Sequence, residues 1–381
     1  MTLSRRRFLA ASLAGLGMPT LAMNCLTGCG GLKIDSAEIS DAVFLNRNEN
    51  PLGPSPLAVA AISEKLLGCC NRYLDPACLK KALAIVHGLS EDMIAIGSGS
   101  TDLLQLAPEL YNEQSANIVT FKEALCIDHL FAQFLDENVR LIPLNKDWSF
   151  DIEGILNAVD HNTRAVFVIN PNNPTGSFMD YEACVYLLNR ISEDILFFLD
   201  EAYMEFMPEG TKNGIDLIHE GWNNVVVART FSKIYGLAGM RVGYVAASSG
   251  IIGSFKEKMI IEYLFVNCMG VYAAKAALMD KDHVARTLAN TRASRSFFEN
   301  AFTSLGLEYI VGDTPFILVK LGETAEVIKA ELEARKIYVT SGASMELPGY
   351  LRVSYGLPKE NRIFLNNLSE ILPESAVKTP V

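Results

Sequence analysis

Between residues 94 and 247 the chain alternates short apolar runs with amphipathic segments. The runs predict strands at 94–96, 117–120, 139–143, 165–169, 196–199, 225–228 and 242–246. Several are apolar at every position rather than at every second one, as expected of strands covered on both faces. Between them, apolar positions at helical spacing predict helices at 102–111, 125–136 and 181–191. Strand and helix in repeated alternation imply an α/β fold with a mostly parallel, doubly wound sheet.

After Gly250 the pattern turns helical for some fifty residues, through 273–279 to Phe302. A smaller mixed unit follows: a strand at 316–321, a helix at 325–335, strands at 337–340 and 351–354, and a closing helix at 359–371. Pro315, Pro348 and Pro358 punctuate it. A large sheet unit followed by a small α+β unit usually places a ligand site in the crevice between them.

Composition narrows the classes. Of 381 residues, 50% are hydrophobic and 20% charged, ample for a core and unlike a disordered chain. The net charge of −11, with no Lys/Arg block beyond the first residues, excludes a nucleic-acid binder. No repeat or heptad run is present, which removes solenoids and coiled coils.

The first 30 residues carry an address. Ser4-Arg5-Arg6-Arg7-Phe8-Leu9 is a twin-arginine pattern, and the apolar stretch from Phe8 to Met23 follows it, which reads as an export signal. Leu26-Thr27-Gly28-Cys29 resembles a lipobox, so a lipid anchor through Cys29 is one expectation and a soluble periplasmic protein the other. Two of the eight cysteines, Cys25 and Cys29, sit in this segment. The other six have no zinc-ligand spacing, and no metal site is expected.

Four polar elements each follow a predicted strand. Gly97-Ser98-Gly99-Ser100-Thr101 runs from strand into helix, where backbone amides favour an anion. Asn170-Pro171-Asn172-Asn173-Pro174-Thr175-Gly176 has turn composition. Asp200-Glu201-Ala202-Tyr203 puts a carboxylate at the end of the most apolar strand, where it either faces a ligand crevice or caps a helix. Thr230-Phe231-Ser232-Lys233 places a lysine between hydroxyls, with Arg241 eight residues on. Hydroxyls and a guanidinium can bind phosphate, and the lysine beside them can form a Schiff base with an aldehyde.

Taken in that order, the four elements resemble the fold type I pyridoxal 5′-phosphate (PLP) aminotransferases of classes I and II. The nearest resemblance is to the histidinol-phosphate aminotransferase branch. The segments Leu45-Asn46-Arg47-Asn48-Glu49-Asn50-Pro51-Leu52-Gly53-Pro54, Phe231 to Tyr244, and Leu351-Arg352-Val353-Ser354-Tyr355-Gly356 are similar to that branch's motifs. The resemblance spans about Phe44 to Ile371. After the export signal at 1–30, it implies an arm at 31–60 belonging with the small domain, a large PLP-binding domain at 61–275 and a small domain at 276–381. By resemblance Lys233 carries the cofactor aldehyde, Asp200 pairs with the pyridinium nitrogen, and Tyr203 and Asn173 bond the ring's phenolic oxygen. Ser100, Thr101, Thr230, Ser232 and Arg241 would hold the phosphate. Tyr73 would reach the phosphate of the neighbouring subunit, which implies a homodimer. Arg352, helped by Asn50 and Asn173, would clamp the substrate carboxylate. The implied reaction moves an amino group from an amino acid or amine to a 2-oxo acid.

The chain departs from the branch at four places. Leu125 stands where an aromatic ring normally stacks on the cofactor, unless Phe121 or Phe131 supplies that ring. Leu52 replaces an aromatic. Thr340-Ser341 and Pro358 stand where arginines are usual, which removes charge from the end that would receive a substrate phosphate. An export signal also fits poorly with a cytoplasmic biosynthetic step. Related PLP chemistry, decarboxylation or oxidative deamination, shares the same residues and stays open. So does a PLP-binding protein without catalysis. A PLP-containing transcription regulator is excluded, because no DNA-binding domain precedes the body.

Overall fold

The computed structural model describes residues 41–106, 116–124, 138–259 and 266–372. The twin-arginine segment, the lipobox at Cys29, and the positions of Leu125 and Phe131 lie outside the described residues. In chain order the strands are β1 (Val43–Phe44), β2 (Ile94–Gly97), β3 (Asn117–Phe121), β4 (Val139–Ile142), β5 (Thr163–Ile169), β6 (Leu196–Asp200), β7 (Val225–Thr230), β8 (Gly243–Ala247), β9 (Tyr309–Val311), β10 (Phe316–Lys320), β11 (Ile337–Tyr338), β12 (Thr340–Ser341) and β13 (Tyr350–Ser354).

Seven of them form the central sheet, in the order β2-β8-β7-β6-β5-β3-β4. The four inner pairings from β7 to β4 are parallel, while β8 runs antiparallel to both β7 and β2. This is the mostly parallel α/β sheet that the strand pattern and the resemblance imply. Apolar strands are needed because both faces are covered. One face, with Phe167, Phe198, Val226 and Ala228, packs under α3 (Ser100–Leu106) and α7 (Ser249–Lys258). The other face, with Val166, Phe197, Leu199 and Val227, packs under α4 (Ile152–Ala158), α5 (Tyr181–Leu188) and α6 (Gly214–His219). Side-chain caps start these helices. Asp151 accepts from the Gly154 amide at the head of α4, and Asp180 accepts from the Ala183 amide at the head of α5.

Two further helices, α1 (Pro56–Cys69) and α2 (Ala77–His87), precede the sheet, and α1 packs closely on α8 (Cys268–Ala277). Ser55 caps α1, with Pro56 at its first position. The long α9 (Lys281–Ser304) leads to a four-stranded antiparallel sheet, β12-β13-β10-β9, backed by α10 (Ala325–Ala334) and α11 (Pro358–Ile371) around Phe298, Phe302, Leu332 and Phe364. The described residues from Ala42 onward form one compact unit.

The predicted strand at 337–340 is in fact two. β11 pairs in parallel with β1, and β12 pairs antiparallel with β13, so the chain crosses from one small sheet to the other at Val339. The first of these pairings ties residues 43–44 to the C-terminal part of the chain and delivers the segment 46–50 to the site. The helix expected from Asp102 begins two residues earlier, at Ser100.

Candidate active site

The polar elements converge where the parallel strands end, the usual ligand position in an open α/β sheet. There the fold encloses a cavity of about 530 Å³. Ser100, Thr101, Asn173, Asp200, Tyr203, Thr230, Ser232, Lys233 and Arg241 line it, together with Arg47, Glu49, Leu104, Ile169, Ala202, Ala238 and Gly239. β6 delivers Asp200, β7 delivers Thr230, and the loop after β7 carries Ser232 and Lys233.

Lys233 Nζ donates to the carbonyl of Arg47 at 2.8 Å and stands 5.9 Å from the centre of the Tyr203 ring. Burial lowers its pKa to about 8. The Arg352 and Arg241 guanidiniums push the same way, against the Glu49 and Asp200 carboxylates. Asp200 is buried, and its Oδ1 accepts from the Ala202 amide at 3.2 Å. Burial pushes its carboxyl up to about 7, aided by the neighbouring Glu201 charge and opposed by that amide and by Lys233. The acid and the amine are thus both moved toward neutrality, the pattern of groups tuned for proton transfer.

At the hydroxyl-rich end, Thr230 Oγ1 donates to Ser232 Oγ at 2.9 Å and accepts from the Ser232 amide at 3.1 Å. Arg241 Nη1 lies 3.4 Å from Ser232 Oγ and donates to the Ala238 carbonyl at 3.1 Å. Two glycines make this packing feasible. A Cβ on Gly99 (φ +86°) would sit 2.4 Å from Arg241 Nη2, and one on Gly243 would sit 2.2 Å from the Ser100 amide. Four hydroxyls (Ser100, Thr101, Thr230 and Ser232), a guanidinium and a helix start in one corner are a donor set that suits a phosphate.

Tyr203 is packed edge-on against Phe316, at 5.3 Å. Its hydroxyl accepts from Asn173 Nδ2 at 3.1 Å and from Asn48 Nδ2 at 3.0 Å. Arg352 does not line the cavity wall; it lies directly behind Asn173. Its Nη1 donates to Asn173 Oδ1 at 2.7 Å, and its Nη2 donates to the Asn46 carbonyl at 2.6 Å and to Thr340 Oγ1 at 3.1 Å.

Two expectations, for Asn50 and Phe121, need correction. Asn50 is not on the cavity wall. Its amide nitrogen is spent on the Ile234 carbonyl and the Thr287 hydroxyl, and its oxygen accepts from the Leu52 amide, so it builds the lysine loop from behind. The asparagine of this segment that bonds a cavity residue is Asn48, two residues earlier: it donates to the Tyr203 hydroxyl and is held to Ser354 by two hydrogen bonds. Phe121 cannot stack on a ring in the cavity, because it is buried against Phe150 on the far face of the sheet. Tyr73 lies off the cavity with 84% of its surface exposed. Residue reasoning also missed Arg47 and Glu49; they sit inside the motif quoted above, and their neighbours in that motif drew the attention.

A lysine amine, a buried acid and a phosphate cradle around one cavity, on this sheet, define a PLP-dependent transferase of fold type I. Residues 40–368 match the family described as aminotransferase class I and II, and the chain belongs to that family. Among curated relatives, histidinol-phosphate aminotransferase 2 of Pseudomonas fluorescens (strain Pf-5) is 37% identical over 90% of this chain and 91% of its own. Histidinol-phosphate aminotransferase of Akkermansia muciniphila is 36% identical over 87% of this chain and 90% of its own. The crystal structure of histidinol-phosphate aminotransferase from Sinorhizobium meliloti, in complex with pyridoxal-5′-phosphate, superposes with a TM-score of 0.78 at 29% identity, covering 96% of this chain and 99% of that one.

Proposed function

We propose that this PLP-dependent aminotransferase works through Lys233 on α-amino acids whose far end carries no phosphate. The carrying observation is the meeting of Lys233, its pKa brought down to about 8, with Asp200 and the hydroxyl–guanidinium corner in one cavity. In this reading Ser100, Thr101, Thr230, Ser232 and Arg241 hold the phosphate, Asp200 faces the ring nitrogen, and Tyr203 with Asn173 orients the phenolic oxygen. When bound, PLP supplies the electron sink for the pair left by the substrate's Cα–H bond. Lys233 supplies the base. Its neutral amine takes the proton from Cα and returns it on the other side of the transfer. Asp200 keeps the ring nitrogen protonated. Arg352, oriented by Asn46, Asn173 and Thr340, takes the α-carboxylate.

Thr340 supports the substrate class. Its hydroxyl donates to the Asn46 carbonyl at 2.6 Å and accepts from Arg352, so a short spacer fills the place of a second guanidinium. Among the described residues no second guanidinium stands beside Arg352 at this position, and Arg47, near the lysine, lies on the cavity wall. A second reading, histidinol phosphate as donor, is favoured by the names of the relatives. We further propose a homodimer in which the exposed Tyr73 serves the neighbouring subunit's phosphate, and export by the twin-arginine segment.

Two measurements test this. Wild-type protein given PLP is expected to gain a visible absorbance band that survives desalting, and Lys233→Ala is expected to lose it. Adding single amino acids with 2-oxoglutarate as acceptor is then expected to bleach and restore the band for at least one amino acid and not for histidinol phosphate. A reverse preference establishes the second reading. Absence of any band in the wild type removes both readings.

A further inference from the structure

On the opposite face of the sheet from the cavity lies a buried ion network that the chemistry above leaves unused. Arg229 directly precedes Thr230, and Glu201 directly follows Asp200, so each has a cofactor-facing neighbour. Side chains alternate across the sheet, and these two point into the face that packs on α6. Arg229 Nε and Nη2 both donate to Glu201 Oε2, at 3.0 and 2.7 Å, and Nη2 also reaches Asn213 Oδ1 at 2.8 Å. The other carboxylate oxygen of Glu201 accepts from the Gly214 amide at 2.6 Å. Gly214 is pressed so tightly onto the strands that a Cβ there would meet Val227 Cγ2 at 2.4 Å.

The surrounding elements add further titratable groups. Glu205 Oε1 stands 3.7 Å from Arg229 Nη1, while its Oε2 is buried with no hydrogen-bond partner. Tyr244 on β8 contacts the same guanidinium, and its hydroxyl lies 2.7 Å from His87 Nε2 at the end of α2. Burial, with Arg229 and His219 nearby, draws His87 down to about 3, so it is neutral at working pH. Tyr235 on the lysine loop and Cys184 on α5 are both pushed up by burial and stay neutral. On the cavity side Asp200 faces Lys233.

Filling this space needs no charges, and apolar side chains would do it at lower desolvation cost. A two-toothed ion pair does something they cannot, which is to fix two adjacent strand ends in direction and leave a defined charge beneath them. We propose that Glu201 and Arg229 are positioning residues for the cofactor site: locked together behind the sheet, they hold Asp200 and Thr230 toward the cavity and set the electrostatic background that the cofactor experiences. This rests on the PLP reading above.

The test exploits sign. Glu201→Gln removes the carboxylate bonded to Arg229 and leaves Glu205, 3.7 Å away, facing the guanidinium, so the site becomes more positive and the pH midpoint of the visible band of PLP-loaded protein falls by about half a unit or more. Arg229→Gln leaves the Glu201 charge and raises that midpoint by a similar amount. A merely structural pair would lower both melting temperatures and leave the midpoints unmoved or shifted alike, which overturns the proposal. Should Arg229→Gln not fold, the double variant Glu201→Gln/Arg229→Met removes both charges at similar volume. Its midpoint is expected to return to that of the parent while its PLP dissociation constant rises about tenfold. Parental values for both quantities overturn the proposal. A parent protein that forms no band sinks the PLP reading itself, a result distinct from unmoved midpoints in band-forming variants.

Discussion

Lys233 shows how one residue's surroundings determine its chemistry. Its pKa falls from 10.5 to about 8 because the charged amine loses water and faces Arg352 and Arg241. A lowered amine pKa puts the neutral, nucleophilic form in the majority above that value. Capture of PLP by cofactor-free protein is therefore expected to speed up about tenfold per pH unit below 8 and to level off above it, rather than near 10.5. Stopped-flow absorbance from pH 6 to 10 checks this. Asp200 moves the opposite way, from 3.8 to about 7, chiefly by burial. Between those values the folded cofactor-free chain holds a proton that the unfolded chain has released, so this group's contribution to stability falls as pH rises through the window. Asp200→Asn should flatten that slope in urea titrations at pH 4.5 and 7.5. The same variant should still retain PLP on Lys233 yet lose about a thousandfold in turnover. At this scale the sequence was informative where a side chain follows a buried strand, as for Asp200 and Thr230. It misled at Asn50, because which asparagine of the segment 46–50 bonds the Tyr203 hydroxyl depends on the register of a two-residue strand paired some 290 residues away along the chain.

Among the elements, the phosphate corner depends on backbone more than on side chains. The start of α3 lies against Gly243 at the head of β8, and Gly99 lies beneath the Arg241 guanidinium. Gly243→Ala would place a methyl within 2.2 Å of the Ser100 amide, so the helix start must move. We expect a loss of about 2 kcal/mol in urea unfolding and at least a tenfold weaker hold on PLP, with the visible band unchanged in position. The central strands were legible because both-face burial writes itself as uninterrupted apolar runs. The direction of β8 was not, since an antiparallel strand covered on both faces carries the same run of residues as a parallel one. β9, Tyr309-Ile310-Val311, is a three-residue apolar run that stays half-exposed, and β11 and β12 merge in the pattern because only their partners separate them.

For the whole molecule, the exposed Tyr73 carries the proposal of a paired assembly. Tyr73→Phe mixed with Lys233→Ala should restore part of the activity if each cavity borrows that ring from its neighbour, and equilibrium sedimentation should report two chains per particle. Within one chain, the two sheets meet at a seam of bare backbone. Gly176 closes the Asn170–Gly176 turn at φ +75°, and a Cβ on Gly312 would lie 2.1 Å from its carbonyl. No side chain cushions that contact, so the turn bearing Asn173 cannot slide past the β9–β10 connection; the two must travel as one piece. A rotation of the small sheet would then be felt as a push on Asn173, and through it on the Tyr203 hydroxyl. Gly312→Val should uncouple them, visible as faster amide deuterium uptake in the 172–176 turn while the remote helices keep their protection.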